Sequence, residues 1–190
     1  MHRLRATDYF GEMARLMLCI EATDRAGSSL PLDEGTAKAI EMLNNVRSAS
    51  QKIMLAGNGG SSAIASHAQN DLCSAAGMRA MVFTEQPLLT ATANDFGYGS
   101  VYERPIELWA ESGDLLYTVS SSGQSENIVR AIEAASGKGC QVITLSGFNP
   151  DNPSRRLGDL NFYVPSKVYG YVESVHTALT HYLTTGLPPR

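Results

Sequence analysis

A chain of 190 residues with 43% apolar and 18% charged residues is long enough for one domain with a full core and is not a disordered tract. Fifteen basic against nineteen acidic residues leave a net charge of −4 with no basic run. Nucleic acid is therefore not the expected partner, and an anionic ligand would have to be held locally by backbone dipoles and hydroxyls.

The N-terminal segment reads as an amphipathic helix from Leu4 to Thr23, its apolar stretch interrupted by Glu12 and Arg15 and so unlike a signal peptide. A turn cluster, "RAGSSLP", ends it, and Asp33 reads as the N-cap of a second helix carrying Ala37, Ile40, Met42, Leu43 and Val46 on its apolar side. Strand Lys52–Ala56 follows, then helix Ser62–Ala76, strand Ala80–Phe83, a helical stretch through "PLLTATAND" and another around Val101–Trp109. Strand Leu115–Val119, helix Glu126–Ser136 and strand Gln141–Leu145 come next. A loop rich in Gly, Asn and Pro, strand Leu160–Val164 and a final helix Gly170–Thr185 complete the chain.

Short apolar strands each followed by a helix imply a five-stranded parallel sheet covered on both faces, an open, doubly wound α/β/α sandwich. No repeat, low-complexity tract or linker divides the chain, so 1–190 reads as one domain, with 1–50 as two leading packing helices and 51–190 as the sheet core. Cys19, Cys73 and Cys140 are far apart and form no CxxC, which suits a reducing cytoplasm, and no stretch approaches the roughly 20 apolar residues of a membrane span.

Two loops carry the functional signal. "GNGGSS" (Gly57 to Ser62) and "SSSGQS" (Ser120 to Ser125) each lie between a strand and a helix. Ligands of such sheets sit beyond the strands' carboxyl ends, where helix N-termini offer free N–H groups and about half a positive charge. Glycines allow close approach and serines add hydroxyl donors, a composition suited to a monoester phosphate. Neither loop reads GxxxxGK[ST], which argues against nucleoside triphosphate chemistry. Serine and glycine also make ordinary turns, and Ser125 would cap a helix whatever the loop held; two such loops at matching strand ends favour a ligand. A dinucleotide fingerprint is the rival reading, but Ser62 stands where its third glycine belongs.

Helix Ser62–Ala76 places His67 and Asp71 on one face. In the last helix Glu173 and His181 lie about 80° apart around the axis, with His176 projecting on the other side of Glu173. Asn94 and Asp95 precede a glycine-containing aromatic turn. Two histidines and two carboxylates suit either a tetrahedral zinc site or an acid–base pair for proton transfer.

Taken together, "GNGGSS…H…D", "ATANDFGYGSVYERPIEL", "DLLYTVSSSGQSENIVRAIEAA" and "ESVHTALTH" resemble the phosphoheptose isomerases of the sugar-isomerase (SIS) fold, in family order over most of the chain. The resemblance implies conversion of sedoheptulose 7-phosphate into D-glycero-D-manno-heptose 7-phosphate for surface-polysaccharide synthesis, through an enediol(ate), in a cytoplasmic homotetramer with sites at subunit contacts. It implies that Ser120, Ser121, Ser122 and Ser125 hold the phosphate and that Asn58, Gly59, Gly60 and Ser61 line the sugar, with Asn94 and Asp95 nearby. It assigns one zinc ion per subunit to His67, Asp71, Glu173 and His181, and the base and acid of proton transfer to Asp71 and His181. Three departures stand out: aspartate at 71 for the family's glutamate, glutamate at 173 for glutamine, and Ala75 where an arginine is often found, with Arg79 the nearest replacement in sequence. A non-catalytic SIS module that binds a sugar phosphate or a protein, as the replication-initiator-associating proteins do, is the alternative, and an isomerase of a related phosphosugar is a third.

Overall fold

The computed structural model describes residues 5–189. Leu4, from which the first helix was expected to start, and both outer limits of the expected domain lie outside them. The helices are α1 (Ala6–Leu18), α2 (Leu32–Ser48), α3 (Gly60–Ser74), α4 (Gln86–Phe96), α5 (Glu103–Trp109), α6 (Glu126–Gly137), α7 (Pro153–Leu157) and α8 (Tyr169–Thr185). The strands are β1 (Glu21–Asp24), β2 (Ser29–Leu30), β3 (Lys52–Gly57), β4 (Arg79–Val82), β5 (Leu115–Ser120), β6 (Gln141–Gly147) and β7 (Leu160–Val164).

The sheet runs β2-β1-β7-β6-β5-β3-β4. Its five parallel strands are those expected, in register Ile53↔Leu115, Leu115↔Gln141 and Ile143↔Leu160. The chain leaves β3 outward to β4, then returns to the other side of β3 as β5, so the topological switch point lies between β3 and β5. Side chains alternate between two cores. Ile53, Leu55 and Val119 face a cluster under α1, α2, α3 and α8, while Met54, Ala56 and Leu116 face one under α5 and α6. Among the described residues no helix is long and apolar enough to cross a membrane.

The N-terminal third departs from expectation. The first helix ends at Leu18, and Glu21–Asp24 is instead a strand that pairs antiparallel with β2 and with β7, extending the parallel sheet by two strands. Asp24 enforces the hairpin: its Oδ1 accepts the amides of Ala26 and Ser28 at 2.9 and 2.8 Å, a local alternative to helical bonding. Asp33 does not cap α2, whose N-cap is Pro31, two residues earlier; Asp33 stands in the first turn, where its charge faces the positive helix end. The loop expected after β6 contains the short helix α7, capped by Asn152, whose side-chain oxygen accepts the Arg155 amide at 2.9 Å.

Candidate active site

The two glycine- and serine-containing loops leave the C-terminal ends of β3 and β5, one on each side of the switch point, where α/β sheets bind ligands. Between them lies a cleft of about 250 Å³ lined by Asn58 to Ser61, Ser120 to Ser122, Ser125, Tyr169 and Glu173. Four hydroxyls come from the second loop, and the structure separates their roles. Ser120 Oγ accepts the Gly123 amide at 3.2 Å and Ser122 Oγ accepts the Gln124 amide at 3.2 Å, so both brace the turn. Ser121 is 5% exposed, and its hydroxyl has no hydrogen-bond partner among the described residues. Ser125 occupies the N-cap of α6 but makes no side-chain cap bond. A buried hydroxyl without a partner is costly, and an uncapped helix end leaves N–H donors open; both costs disappear if an oxyanion sits in the loop. Gly123 makes the turn possible: its φ is +63°, and a Cβ there would stand 2.0 Å from Asn152 Oδ1. Ser154 closes the far side, donating from its backbone and its hydroxyl to the Gly123 carbonyl at 3.1 and 2.9 Å.

The first loop is tied to the second by amides. Asn58 Nδ2 donates to Asn127 Oδ1 at 2.9 Å and Asn127 Nδ2 donates back to Asn58 Oδ1 at 2.8 Å, while the Tyr98 hydroxyl donates to the same Oδ1 at 3.0 Å. With its oxygen taken twice and one amide hydrogen engaged, Asn58 retains a single free donor. Tyr102 donates to the Gly57 carbonyl, and burial pushes its phenol pKa up, which keeps it a donor. Asn127 and Tyr98 were missed in the sequence. Asn127 follows the serine loop by two residues and Tyr98 sits in the "FGYG" turn, but amide pairing across 69 residues has no local pattern.

A second group gathers between α3 and α8. His67 Nε2 and His181 Nδ1 stand 3.5 and 3.3 Å from the two carboxylate oxygens of Asp71, and the imidazoles meet edge to face at 4.8 Å between ring centres. One donor atom from each of the three lies within 4.8 Å of the others. Glu173, expected as the fourth zinc ligand, is not in this group and lines the cleft instead, over Gly60. The reason is the helical rise: eight residues of α8 set Glu173 and His181 about 12 Å apart along the axis, although they are close in angle. Asn94 and Asp95 are not among the cleft residues; they lie at the end of α4, Asn94 Nδ2 donating to Asp95 Oδ1 at 2.9 Å, and Tyr98 is the residue of that segment that reaches Asn58. Arg79 does not fill the place of an arginine at 75. It starts β4, at the strand end opposite the cleft, and donates to the Ser50 carbonyl at 2.9 Å. His176 is fully buried with Nε2 3.1 Å from the Ser146 carbonyl, and burial lowers its pKa to about 4.

Comparisons with known proteins identify relatives of this chain and of its fold. The SIS domain model matches residues 9–147. A phosphoheptose isomerase of Aliarcobacter butzleri is 35% identical over 157 residues, 80% of each chain, and one of a Shewanella species is 31% identical over 166 residues, 83% of each. The structure of phosphoheptose isomerase from Neisseria gonorrhoeae superposes with a TM-score of 0.84 at 27% identity, covering 97% of this chain and 98% of that one. A phosphoheptose isomerase from Francisella tularensis, 23% identical with a TM-score of 0.82, shares the fold.

Proposed function

The chain belongs to the phosphoheptose isomerase family of SIS-domain proteins, and from that membership we propose that it is an aldose–ketose isomerase converting sedoheptulose 7-phosphate to D-glycero-D-manno-heptose 7-phosphate through an enediol(ate), in the supply of heptose for surface polysaccharide. The observation that carries the reading is the buried, unpartnered Ser121 hydroxyl beside the uncapped start of α6. Together with Ser125 it receives the phosphate, and the backbone N–H groups of the loop complete the anion site. Asn58 gives its one free amide hydrogen to a sugar oxygen. His181, its Nδ1 turned to Asp71, is left with Nε2 for proton exchange at the carbonyl and hydroxyl oxygens.

Two imidazoles and a carboxylate match the three-ligand donor set of catalytic zinc, so His67, Asp71 and His181 fit one zinc ion per subunit. When bound, that ion would polarise the sugar oxygens and stabilise developing negative charge. We place the protein in the cytoplasm as a homotetramer with sites at subunit contacts.

The test is turnover of sedoheptulose 7-phosphate by purified protein, with zinc removed and then restored. Conversion that falls on chelation and returns with zinc is the expected result. Phosphosugar binding without conversion would overturn the reading in favour of a binding module, and conversion indifferent to chelation would remove the metal from it.

A further inference from the structure

We propose that Tyr98 is a positioning residue of this site: its hydroxyl fixes which edge of the Asn58 amide faces the substrate, an inference that rests on the isomerase reading above. Asn58 and Asn127 form a reciprocal pair, each Nδ2 donating to the other's Oδ1, at 2.9 and 2.8 Å. Such a pair is symmetric. If both amides turned over, oxygen would exchange with nitrogen in each, and both hydrogen bonds would form again. The pair therefore does not decide whether Asn58 offers the cleft a donor or an acceptor. The third bond does. Tyr98 donates to Asn58 Oδ1 at 3.0 Å, and after the turn-over its hydroxyl would meet the Nδ2 hydrogens instead. The free N–H and the lone pair that Tyr98 takes lie on opposite sides of the amide, so holding the oxygen on one side holds the donor on the other.

The donor edge is the one the chemistry needs. The carbonyl oxygen of the open-chain sugar and the oxygens of the enediolate accept hydrogen bonds, and an amide oxygen turned toward them would repel the developing negative charge. Tyr98 and Asn127 also reach Asn58 from one support. Tyr98–Ser100 is a single 3₁₀ turn entered through Gly97 at φ +83°. The turn rests on α6, where Arg130 donates to Ser100 Oγ at 3.1 Å and to Glu103, and a Cβ on Gly99 would stand 2.7 Å from Glu126 Oε1. Asn127 lies in the first turn of the same helix, two residues after Ser125. The phenol of Tyr102, four residues beyond Tyr98, holds the Gly57 carbonyl just before Asn58. Residues 98–102 thus grip the first loop at two consecutive positions and tie its aim to the helix that starts at the serine loop.

The experiment is a double-mutant cycle on Tyr98→Phe and Asn58→Ala, with kcat and KM for sedoheptulose 7-phosphate measured in all four proteins. Tyr98→Phe keeps the ring and removes only the hydroxyl, and water takes part of its place at this half-exposed position, which keeps the loss modest. The expected result is a kcat/KM about 3- to 10-fold lower when Asn58 is present, and a change of less than about 1.5-fold when it is already alanine. Should Asn58→Ala turn over too slowly to time, the same cycle is read in affinity for sedoheptulose 7-phosphate by calorimetry. A role in folding alone would lower the measured quantity by the same factor in both backgrounds, and that outcome overturns the proposal. So does a Tyr98→Phe variant within about 1.5-fold of the parent. Either result leaves the isomerase reading intact, whereas a parent that does not convert sedoheptulose 7-phosphate would overturn both.

Discussion

The four loop serines are chemically alike, but the structure gives them unequal tasks. Ser120 and Ser122 answer backbone amides, so their loss acts on the turn, while Ser121 and Ser125 face the cleft uncommitted. A hydrogen bond to a charged group contributes about 1.5 to 3 kcal/mol. Ser121→Ala is therefore expected to raise KM for the phosphosugar roughly 10- to 100-fold with kcat nearly unchanged, and the Ser121→Ala, Ser125→Ala double variant to raise it further. Steady-state kinetics check this; an unchanged KM in the double variant would take the phosphate out of the loop. Asp71→Asn belongs at the same scale. It keeps the shape between the two imidazoles but removes the one anionic ligand of the proposed zinc set, so zinc affinity, measured by equilibrium dialysis, should fall by more than the roughly 10- to 100-fold that loss of an outer-shell partner costs. Affinity equal to the parent's would place the metal elsewhere. The sequence shows that serines cluster after a strand. It does not show which hydroxyl remains free, because that depends on the turn closed by Gly123 and Asn152, 29 residues apart.

At the scale of elements, the strand–loop–helix rhythm from Lys52 onward was legible because buried parallel strands are continuous apolar runs and their helices are amphipathic. The hairpin Glu21–Leu30 was not. Its strands of four and two residues are too short for a period, and the preceding helical pattern ran on through them. The site shows a related limit. Helical angle brought Glu173 and His181 to one side of α8, and that part holds, but angle says nothing of rise, and rise assigns them to two different groups. The serine loop is itself an element whose geometry rests on one position. Gly123→Ala would force a side chain into a left-handed turn and into Asn152, which also caps α7 and donates to Ser146 Oγ at 3.1 Å. We expect a loss of stability of about 1 to 3 kcal/mol in urea unfolding, together with loss of phosphosugar binding by calorimetry. Retained binding would show that the turn does not set the anion site.

For the whole molecule, two buried polar groups set the conditions under which the fold holds. At the sheet's lower edge Asp114 is fully buried, its Oδ2 2.6 Å from Lys52 Nζ and its Oδ1 accepting the Lys52 amide at 3.0 Å. Near the other end of the parallel strands, beside Ser146 of β6, His176 is fully buried, and burial lowers its pKa. Its folded pKa of about 4 lies below the ordinary 6.5, so the unfolded chain takes up the proton first as pH falls. The stability it confers is whole above about pH 6.5 and is lost downward through about pH 4, in total on the order of 3 kcal/mol. Urea unfolding at pH 7 and pH 5 should differ by about 2 kcal/mol more in the parent than in His176→Leu; equal differences would show that another group governs acid sensitivity.

The pairing of β1 with β7 has a consequence for how the chain is made. Asn161 Nδ2 donates to the Thr23 carbonyl across 138 residues, and β1 has no parallel-sheet neighbour other than β7. During synthesis the hairpin leaves the ribosome before any of the parallel strands, yet the edge it must join does not exist until Val164 has emerged. Closing so long a loop is entropically unfavourable, and only the finished parallel strands offer the compensating contacts. Nascent chains halted before β7 should therefore carry an unpaired two-stranded ribbon, and that hairpin should gain protection from proteases only after β7 has joined the sheet.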